Sequence, residues 1–227
     1  MSKIDRRFML RVLSWSGLFV LAKPVRTLAK QCEAVVRTDR GPFYPEKTIP
    51  LAQDLTRVPG RRGAARGRLL YLTGKVTLPD CDPLPDAVVE IWQTDDNGSY
   101  DHTAAETNGK ALDPCFRYFA KVRTAADGTF VFKTIRPRPY EFRGLHRASH
   151  IHVRVQHAKA RTLVSEVYFE GARDDRLREE DRVYQGRGPR KETLIVPLED
   201  DTILVEANLK PEPGAACCRF DVALDPN

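Results

Sequence analysis

The sequence predicts an all-β fold, a β-sandwich core preceded by an irregular N-terminal arm and interrupted by loop excursions. From residue 69 onward, short apolar or alternating runs recur at near-regular spacing, and turn residues separate them. The Asp127-Gly128 pair favours a tight hairpin between two of these runs, because glycine accepts a positive φ. The predicted strands are 69–78, 87–94, 119–124, 129–135, 149–156 and 163–169, with weaker candidates at 193–197, 202–208 and 219–224.

One stretch departs from the strand pattern. Residues 174–181 are dense in charges and weakly helical, and we interpret them as a surface excursion rather than a second domain. The chain therefore divides into a leader (1–29), the irregular arm (30–68) and a β-sandwich domain (69–227).

The leader has the layout of an export signal. Arg6-Arg7 opens an apolar run over 12–22, and small residues follow at 27–29. The adjacent arginines resemble a twin-arginine signal, and the run is shorter than the ~20 apolar residues of a stable membrane span. We expect an exported, periplasmic protein; the alternative is a cytoplasmic protein with an uncleaved N-terminal helix.

Charge and cysteine content narrow the function classes. The first 30 residues carry the whole formal net charge of +6, so the body of the chain gives no indication of nucleic-acid binding. The five cysteines lack Cys-x-x-Cys spacing, which argues against a cysteine zinc site and leaves one or two disulfides open in an oxidising compartment. A basic run in the arm is either a solvated loop or an interface element: Arg57, Arg61, Arg62, Arg66 and Arg68.

Two histidines and two tyrosines form the candidate site. His150 and His152 are two residues apart in a predicted strand, so they project from the same face. Such a pair suits iron, zinc or copper, although a polar strand face has the same pattern. Tyr100 follows a Gly-containing turn and Tyr140 follows a Pro-rich turn. Two phenolates are hard anionic donors that would favour iron(III), although each tyrosine alone also fits a core or rim position.

Several ordered motifs carry a family resemblance. The runs 72–76, 89–93 and 98–100 resemble the signature of the intradiol ring-cleavage dioxygenases. Further matching runs follow the family order: 41–45, 112–114, 127–128, 139–140, 147–152 and 168–171. The resemblance spans about residues 41–171 and is closer to the protocatechuate 3,4-dioxygenases, since catechol 1,2-dioxygenases carry a long helical N-terminal region.

The resemblance implies a specific site and reaction. Tyr100 and His150 would be equatorial ligands of iron(III), with Tyr140 and His152 as the axial pair. Tyr140 would be the mobile ligand that accepts a substrate proton, and Arg147 would stabilise the electron-rich ring. The implied substrates are a catechol-type diol and dioxygen, and the product is a cis,cis-muconate-type diacid. Family members assemble, so a homo-oligomer is expected, with the arm as the exchange element.

Two departures from the family pattern concern the catalytic region. Glu166 replaces the usual Gln, and its carboxylate could pair with Arg147 and blunt the charge of the guanidinium. Phe142 replaces a Trp near the substrate and leaves the ring-binding wall uncertain. Further candidates for binding a substrate carboxylate are Arg123, Arg138, Arg143 and His146.

Two alternative functions stay open at this point. A non-catalytic, transthyretin-like sandwich module shares part of the strand and turn pattern. A zinc or copper site built from the same four residues is the other alternative.

Overall fold

The computed structural model describes residues 32–105, 110–199 and 212–227. The helices of these ranges are α1 (Ala172–Glu180), α2 (Arg182–Gln185) and a 3-10 turn (Lys191–Leu194). The strands are β1 (Leu69–Thr77), β2 (Val88–Trp92), β3 (Phe119–Arg123), β4 (Thr129–Ile135), β5 (Tyr140–Phe142), β6 (Leu145–Arg147), β7 (His150–His157), β8 (Ala160–Phe169), β9 (Ile195–Val196), β10 (Ala216–Arg219) and β11 (Val222–Ala223).

The strands form two sheets and a separate hairpin. In the first sheet, β1 pairs antiparallel with β4 and parallel with β10 and β11. The second sheet has the order β3-β2-β7-β8-β9, and the hairpin consists of β5 and β6. The all-β prediction is confirmed.

Alternation along the strands separates the sandwich core from the opposite face of the second sheet. Ile151 and Val153 of β7 are fully buried in one hydrophobic cluster with Leu70 and Leu72 of β1. Each such side chain contributes about 1.5–3 kcal/mol when it is fully buried. The intervening residues of β7 point the other way, so the core itself fixes which face carries His150.

Most of the predicted strands are confirmed, with ends that shift by up to three residues. The weaker candidate at 193–197 shortens to β9, and the candidate at 219–224 is divided into β10 and β11. The candidate at 202–208 lies outside the described residues. The β5–β6 hairpin was not predicted, because each strand has only three residues and no alternating pattern.

The predicted hairpin at Asp127-Gly128 is wrong. The turn itself is present, since the Gly128 N–H donates to the Ala125 carbonyl at 2.9 Å. The flanking strands nevertheless enter different sheets, because β3 pairs with β2 and β4 pairs with β1. Turn chemistry determines the local reversal, whereas the apolar faces of the two strands decide which sheet each one joins.

The helical prediction at 174–181 is confirmed as α1, but the segment is not a surface excursion throughout. Asp174, Arg178 and Asp181 are buried. Their charges are paired: Asp174 with Arg136, and Arg178 with Asp175. A buried charge is tolerated when it has such a partner. Because the partners are distant in sequence or are themselves charged, the charge-dense pattern indicated a solvent-exposed segment and did not reveal these buried residues.

The N-terminal arm crosses the sheets without a helix or an extended strand of its own between residues 32 and 68. Isolated bridges join Leu51 to Lys121 and Asp54 to Lys133. Cys32 and Cys81 form a disulfide that attaches the start of the described arm to the loop after β1. In the described part of the chain, no helix is long and apolar enough to cross a membrane.

Removing the disulfide should destabilise the fold measurably. The bond closes a sequence separation of 49 residues. For a loop of this size, the chain-entropy model gives a loss of about 4 kcal/mol in the free energy of unfolding. We expect Cys81→Ser to lower the urea midpoint strongly, whereas the control Cys115→Ser should change it little. Equal midpoints for wild type and Cys81→Ser would contradict the assignment.

Candidate metal centre

The site is built on the face of the second sheet that points away from the sandwich core. The register of β2, β7 and β8 places Trp92, His152 and Glu166 side by side across three strands. The Trp92 ring stacks on the His152 ring, with centroids 4.7 Å apart and planes 2° apart. His150, two residues before His152, lies opposite Tyr168. The strand ladder therefore positions both histidines before any ligand is considered.

The two imidazoles converge on one point. Their Nε2 atoms are 3.2 Å apart. His150 Nδ1 lies 2.6 Å from the carbonyl oxygen of Ala148. Because a carbonyl only accepts, Nδ1 carries the proton and the Nε2 lone pair is available for a metal.

Both imidazoles are neutral near pH 7. Burial lowers the pKa of His150 well below its usual value, and the charge of Arg147 lowers it further. Burial likewise lowers the pKa of His152 to about 4. Neutral imidazole is the form that binds metals, so neither histidine has to lose a proton first.

A hydrogen-bonded turn after β2 presents Tyr100. Asp95 Oδ1 accepts hydrogen bonds from the backbone N–H groups of Asn97 at 2.8 Å and Ser99 at 3.0 Å. Tyr100 follows directly and is buried, and its hydroxyl has no hydrogen-bond partner among the described residues. An unpaired buried hydroxyl costs free energy of folding, and binding of its oxygen to a metal ion would remove this cost.

Gly98 allows the Tyr100 turn to approach the Tyr140 loop. Its φ is +81°, and an added Cβ would lie 2.9 Å from the carbonyl oxygen of Pro139. The Tyr100 and Tyr140 rings meet edge to face with centroids 5.3 Å apart. A residue without a side chain is thus required where the two tyrosine-bearing loops touch.

The β5–β6 hairpin carries Tyr140 and Arg147 as a cross-strand pair. Arg147 Nη1 lies 3.4 Å from the Tyr140 hydroxyl. Burial raises the pKa of Tyr140 to about 12, although the charge of Arg147 opposes this rise. Burial also raises the pKa of Tyr100 well above its usual value. Both phenols therefore stay protonated unless a cation binds beside them.

All four sequence-predicted ligands lie together. Ring centroids are 5.8 Å apart for Tyr140 and His150, and 6.3 Å apart for Tyr100 and His152. Two neutral imidazoles, the buried and unpaired phenol of Tyr100 and the partly buried phenol of Tyr140 form a donor set that fits a hard, highly charged cation such as iron(III).

Arg147 is held by a buried polar cluster. The predicted contact with Glu166 is present, with Nη2 3.1 Å from Oε1. Arg147 also donates to the Tyr168 hydroxyl at 3.0 Å and to the Asp181 carboxylate at 3.2 Å. A second guanidinium, that of Arg187, contacts Glu166 through two hydrogen bonds of 2.8 and 3.0 Å.

Sequence reasoning missed three members of this cluster. Tyr168 could have been found, because it lies two residues after Glu166 and so shares its strand face. Asp181 and Arg187 had no such signal, since both follow α1 at a large sequence distance from Arg147. Only the folding of the α1–α2 segment over the site brings them close.

Glu166 belongs to a second possible ligand set. One ligand atom from each of Glu166, His150 and His152 lies within 4.8 Å of the others. Glu166, however, already accepts four hydrogen bonds, two at each oxygen, from Arg147, Arg187 and Tyr168. A carboxylate has about four lone-pair sites, so little capacity is left for a metal. This occupancy favours Glu166 as an outer partner of the site.

Electrostatics around Glu166 support that assignment. Burial alone would raise the pKa of this carboxyl, but interactions with the two histidines and the two guanidiniums hold it far below its usual range. Glu166 is thus a permanent negative charge beside His152, whose Nδ1 lies 3.8 Å from Oε1.

An aromatic wall adjoins the tyrosines. Phe43, supplied by the arm, stacks on Tyr100 with centroids 4.6 Å apart. Phe142 meets Phe43 edge to face at 4.8 Å. The residue that replaces the expected Trp is therefore still part of an aromatic surface suited to a flat ring.

The other candidates for a substrate carboxylate have different surroundings. Arg143 lies over the Phe142 ring at 5.0 Å, close to the site. Arg138 pairs with Asp96 at 2.7 Å, and Arg123 donates to the Asp86 carbonyl at 3.2 Å. His146 is exposed and lies 3.3 Å from Glu141. Of these four, Arg143 is the one whose contacts connect it with the aromatic wall.

Comparisons with known proteins agree on one family. The family model described as Dioxygenase matches residues 40–226. The chain is 31% identical to hydroxyquinol 1,2-dioxygenase of Nocardioides simplex, covering 91% of this chain and 71% of that protein. It is 32% identical to the protocatechuate 3,4-dioxygenase beta chain of Burkholderia cepacia, covering 66% and 65% respectively.

A solved structure supports the fold. The hydroxyquinol 1,2-dioxygenase of Pseudomonas putida DLL-E4 superposes with a TM-score of 0.65 at 21% identity, covering 89% of this chain and 69% of that one. At this identity, the likeness concerns the fold.

Substitution of Gly98 tests how the two tyrosine loops are brought together. Gly98→Ala should lower the free energy of unfolding by about 1–3 kcal/mol more than Gly60→Ala, because the added methyl group also overpacks the loop contact. Gly60 is a matched control, with φ +78° and nothing within 4 Å of an added Cβ. Equal losses in urea unfolding would show that Gly98 matters only for its backbone angle.

Proposed function

Since the chain belongs to the intradiol ring-cleavage dioxygenase family, we propose that it uses iron(III) and dioxygen to cleave a catechol-type diol. Cleavage between the two hydroxyl-bearing carbons would give a cis,cis-muconate-type diacid. The observation that carries this proposal is the grouping of two neutral imidazoles, whose Nε2 atoms are 3.2 Å apart, with the rings of Tyr100 and Tyr140. Family membership also sets aside the non-catalytic binding module, because the family members are enzymes.

The donor chemistry supports iron(III) over zinc or copper. The residues that would hold it are Tyr100, Tyr140, His150 and His152. Two phenolate oxygens stabilise the ferric state, whereas zinc and copper sites rely mainly on nitrogen and sulfur donors. When bound, iron(III) supplies the Lewis acidity and redox chemistry that make a chelated diol reactive toward dioxygen.

Tyr140 has the features of the proton-accepting group. Its Oη lies 3.4 Å from Arg147 Nη1, so the phenolate form would have a positive partner. A phenolate there can take a proton from an entering diol, which keeps the charge of the buried site nearly constant. Arg147 would then face the negative charge that develops on the ring, while its Nε and Nη2 stay anchored on Asp181 and Glu166.

The substrate class follows from the aromatic wall and the relatives. Phe43 and Phe142 provide apolar surface for a planar ring next to Tyr100 and Tyr140. The similar proteins are dioxygenases of hydroxyquinol, protocatechuate, chlorocatechol and catechol, and their sequence identities to this chain are close, from 29% to 32%. We therefore propose a catechol-type ring as the substrate and assign no particular substituent.

Tyrosine variants test the metal and the reaction together. The wild-type protein, purified after growth with iron, should hold one iron per chain and show visible phenolate-to-iron(III) absorption. Tyr100→Phe should lose most of this absorption and reduce oxygen uptake with catechols by about a hundredfold or more, because one anionic ligand is missing. The matched control is Tyr71→Phe, a buried tyrosine of the other sheet, which should behave as wild type. A colourless, zinc- or copper-loaded wild type would contradict the proposal.

We also propose that the protein is exported. The Arg6-Arg7 leader and the Cys32–Cys81 disulfide both support an oxidising compartment. We expect cell fractionation to recover the protein outside the cytoplasm and mass spectrometry to show a shortened N-terminus. Replacing both arginines with lysine should retain the protein in the cytoplasm, whereas unchanged fractionation would argue against this route.

A further inference from the structure

Glu166 contacts two guanidiniums, and only that of Arg147 also contacts Tyr140. Arg147 touches Glu166 and the Tyr140 hydroxyl, whereas Arg187 donates one hydrogen bond to each carboxylate oxygen of Glu166. Glu166 is fully buried and its side chain has no exposed surface. Its charge therefore has to be balanced by protein groups rather than by water.

A single short segment supplies both outer charges of the cluster. Asp181 caps α2, with its Oδ1 accepting from the N–H groups of Val183 at 2.9 Å and Tyr184 at 3.0 Å. Its Oδ2 accepts from Arg147 Nε at 3.2 Å and from the Ala148 N–H at 2.9 Å. Arg187 follows two residues after α2 ends. The same helical turn thus fixes a carboxylate on Arg147 and a guanidinium on Glu166.

Charge balance makes Arg187 necessary. Without it, the lone charge of Arg147 would face two buried carboxylates, those of Glu166 and Asp181, and the cluster would carry a net negative charge. With Arg187, the four charges cancel. The remaining partner of Arg187 is Asp39, at 3.3 Å and 74% exposed, so it is largely screened by solvent.

We propose that Arg187 is a positioning residue that satisfies Glu166 and so leaves the charge of Arg147 available to the substrate at Tyr140. The inference rests on the proposed dioxygenase function and deepens it. If Arg187 were neutral, two of the lone-pair sites of Glu166 would lose their donors. Glu166 would then draw Arg147 more strongly toward itself, and Arg147 would stabilise a catecholate less well.

The test is a double-mutant cycle between Glu166 and Arg187 on the iron-loaded full chain. The variants are Arg187→Gln, Arg187→Lys, Glu166→Gln and the double variant Glu166→Gln/Arg187→Gln. The matched control is Arg190→Gln, an exposed arginine of the same segment. The measurements are kcat and KM with catechol, the affinity for a nitrocatechol from its visible spectrum, and thermal unfolding of the metal-free protein.

We expect Arg187→Gln to lower kcat/KM by about tenfold or more and to weaken nitrocatechol binding, at unchanged iron content. Arg187→Lys should restore part of this loss, because it keeps the charge without the paired geometry. In the Glu166→Gln background, the same substitution should have little effect, because no carboxylate remains to be neutralised. Arg190→Gln should match wild type.

Two results would overturn the proposal. One is an Arg187→Gln variant as active as Arg190→Gln. The other is an equal loss with and without the Glu166 carboxylate, which would mean that Arg187 acts on something else. If Arg187→Gln does not fold, recovery of folding and activity in the double variant supports the proposal, and failure of the double variant to fold contradicts it.

Failure of the underlying function would be recognised separately. If wild type takes up no oxygen with any catechol, the proposed function fails. Thermal unfolding of the metal-free variants then still decides whether Glu166 and Arg187 are coupled: strong coupling supports the pairing, and additive effects exclude it.

Discussion

The register of β2, β7 and β8 is the constraint on which the rest of the site depends. It places Trp92, His152 and Glu166 in one row and His150 opposite Tyr168. Since the opposite face of β7 is packed into the sandwich core, a slip of one residue would turn the histidines into that core and turn Ile151 and Val153 toward the site. The positions of the two histidines are therefore secured by hydrophobic packing on the far side of the same strands.

Next to this row of strand residues, loops and a small hairpin position the side chains that would contact a substrate. Tyr100 enters through an Asp95-centred turn, and Tyr140 and Arg147 enter as a cross-strand pair of a small hairpin. Loops held by hydrogen bonds to a rigid scaffold are a common arrangement for catalytic groups. The arm contributes Phe43 to the same region, so a segment from the N-terminal end of the described chain also forms part of the site.

The buried charges behind the histidines are costly and nearly balanced. Removing an ion from water costs several kcal/mol, and only complete pairing offsets it. At position 166 the family pattern has an uncharged Gln, whereas this chain has Glu166, whose buried carboxylate carries this desolvation cost. Arg187 lies beside Glu166 and pairs with it. In physical terms, the unusual residue and the second guanidinium form one unit.

The sequence predicted those parts of the molecule whose signals are local. His150 and His152 follow from strand alternation, and most strand positions follow from apolar periodicity. The tyrosines and Arg147 came from ordered motifs and their resemblance to a family. Asp181 and Arg187 were not predicted, because a capped helix folds back over the site and no sequence spacing encodes that contact. The wrong hairpin at Asp127-Gly128 has the same origin, since a turn does not specify which sheet the next strand joins.

An anomalous-difference map at the iron absorption edge, from crystals of the iron-loaded protein, would locate the metal and identify its ligands. We expect one peak enclosed by the hydroxyl oxygens of Tyr100 and Tyr140 and the Nε2 atoms of His150 and His152. A peak bound by the Glu166 carboxylate and the two histidines, with both tyrosines at a distance, would contradict it.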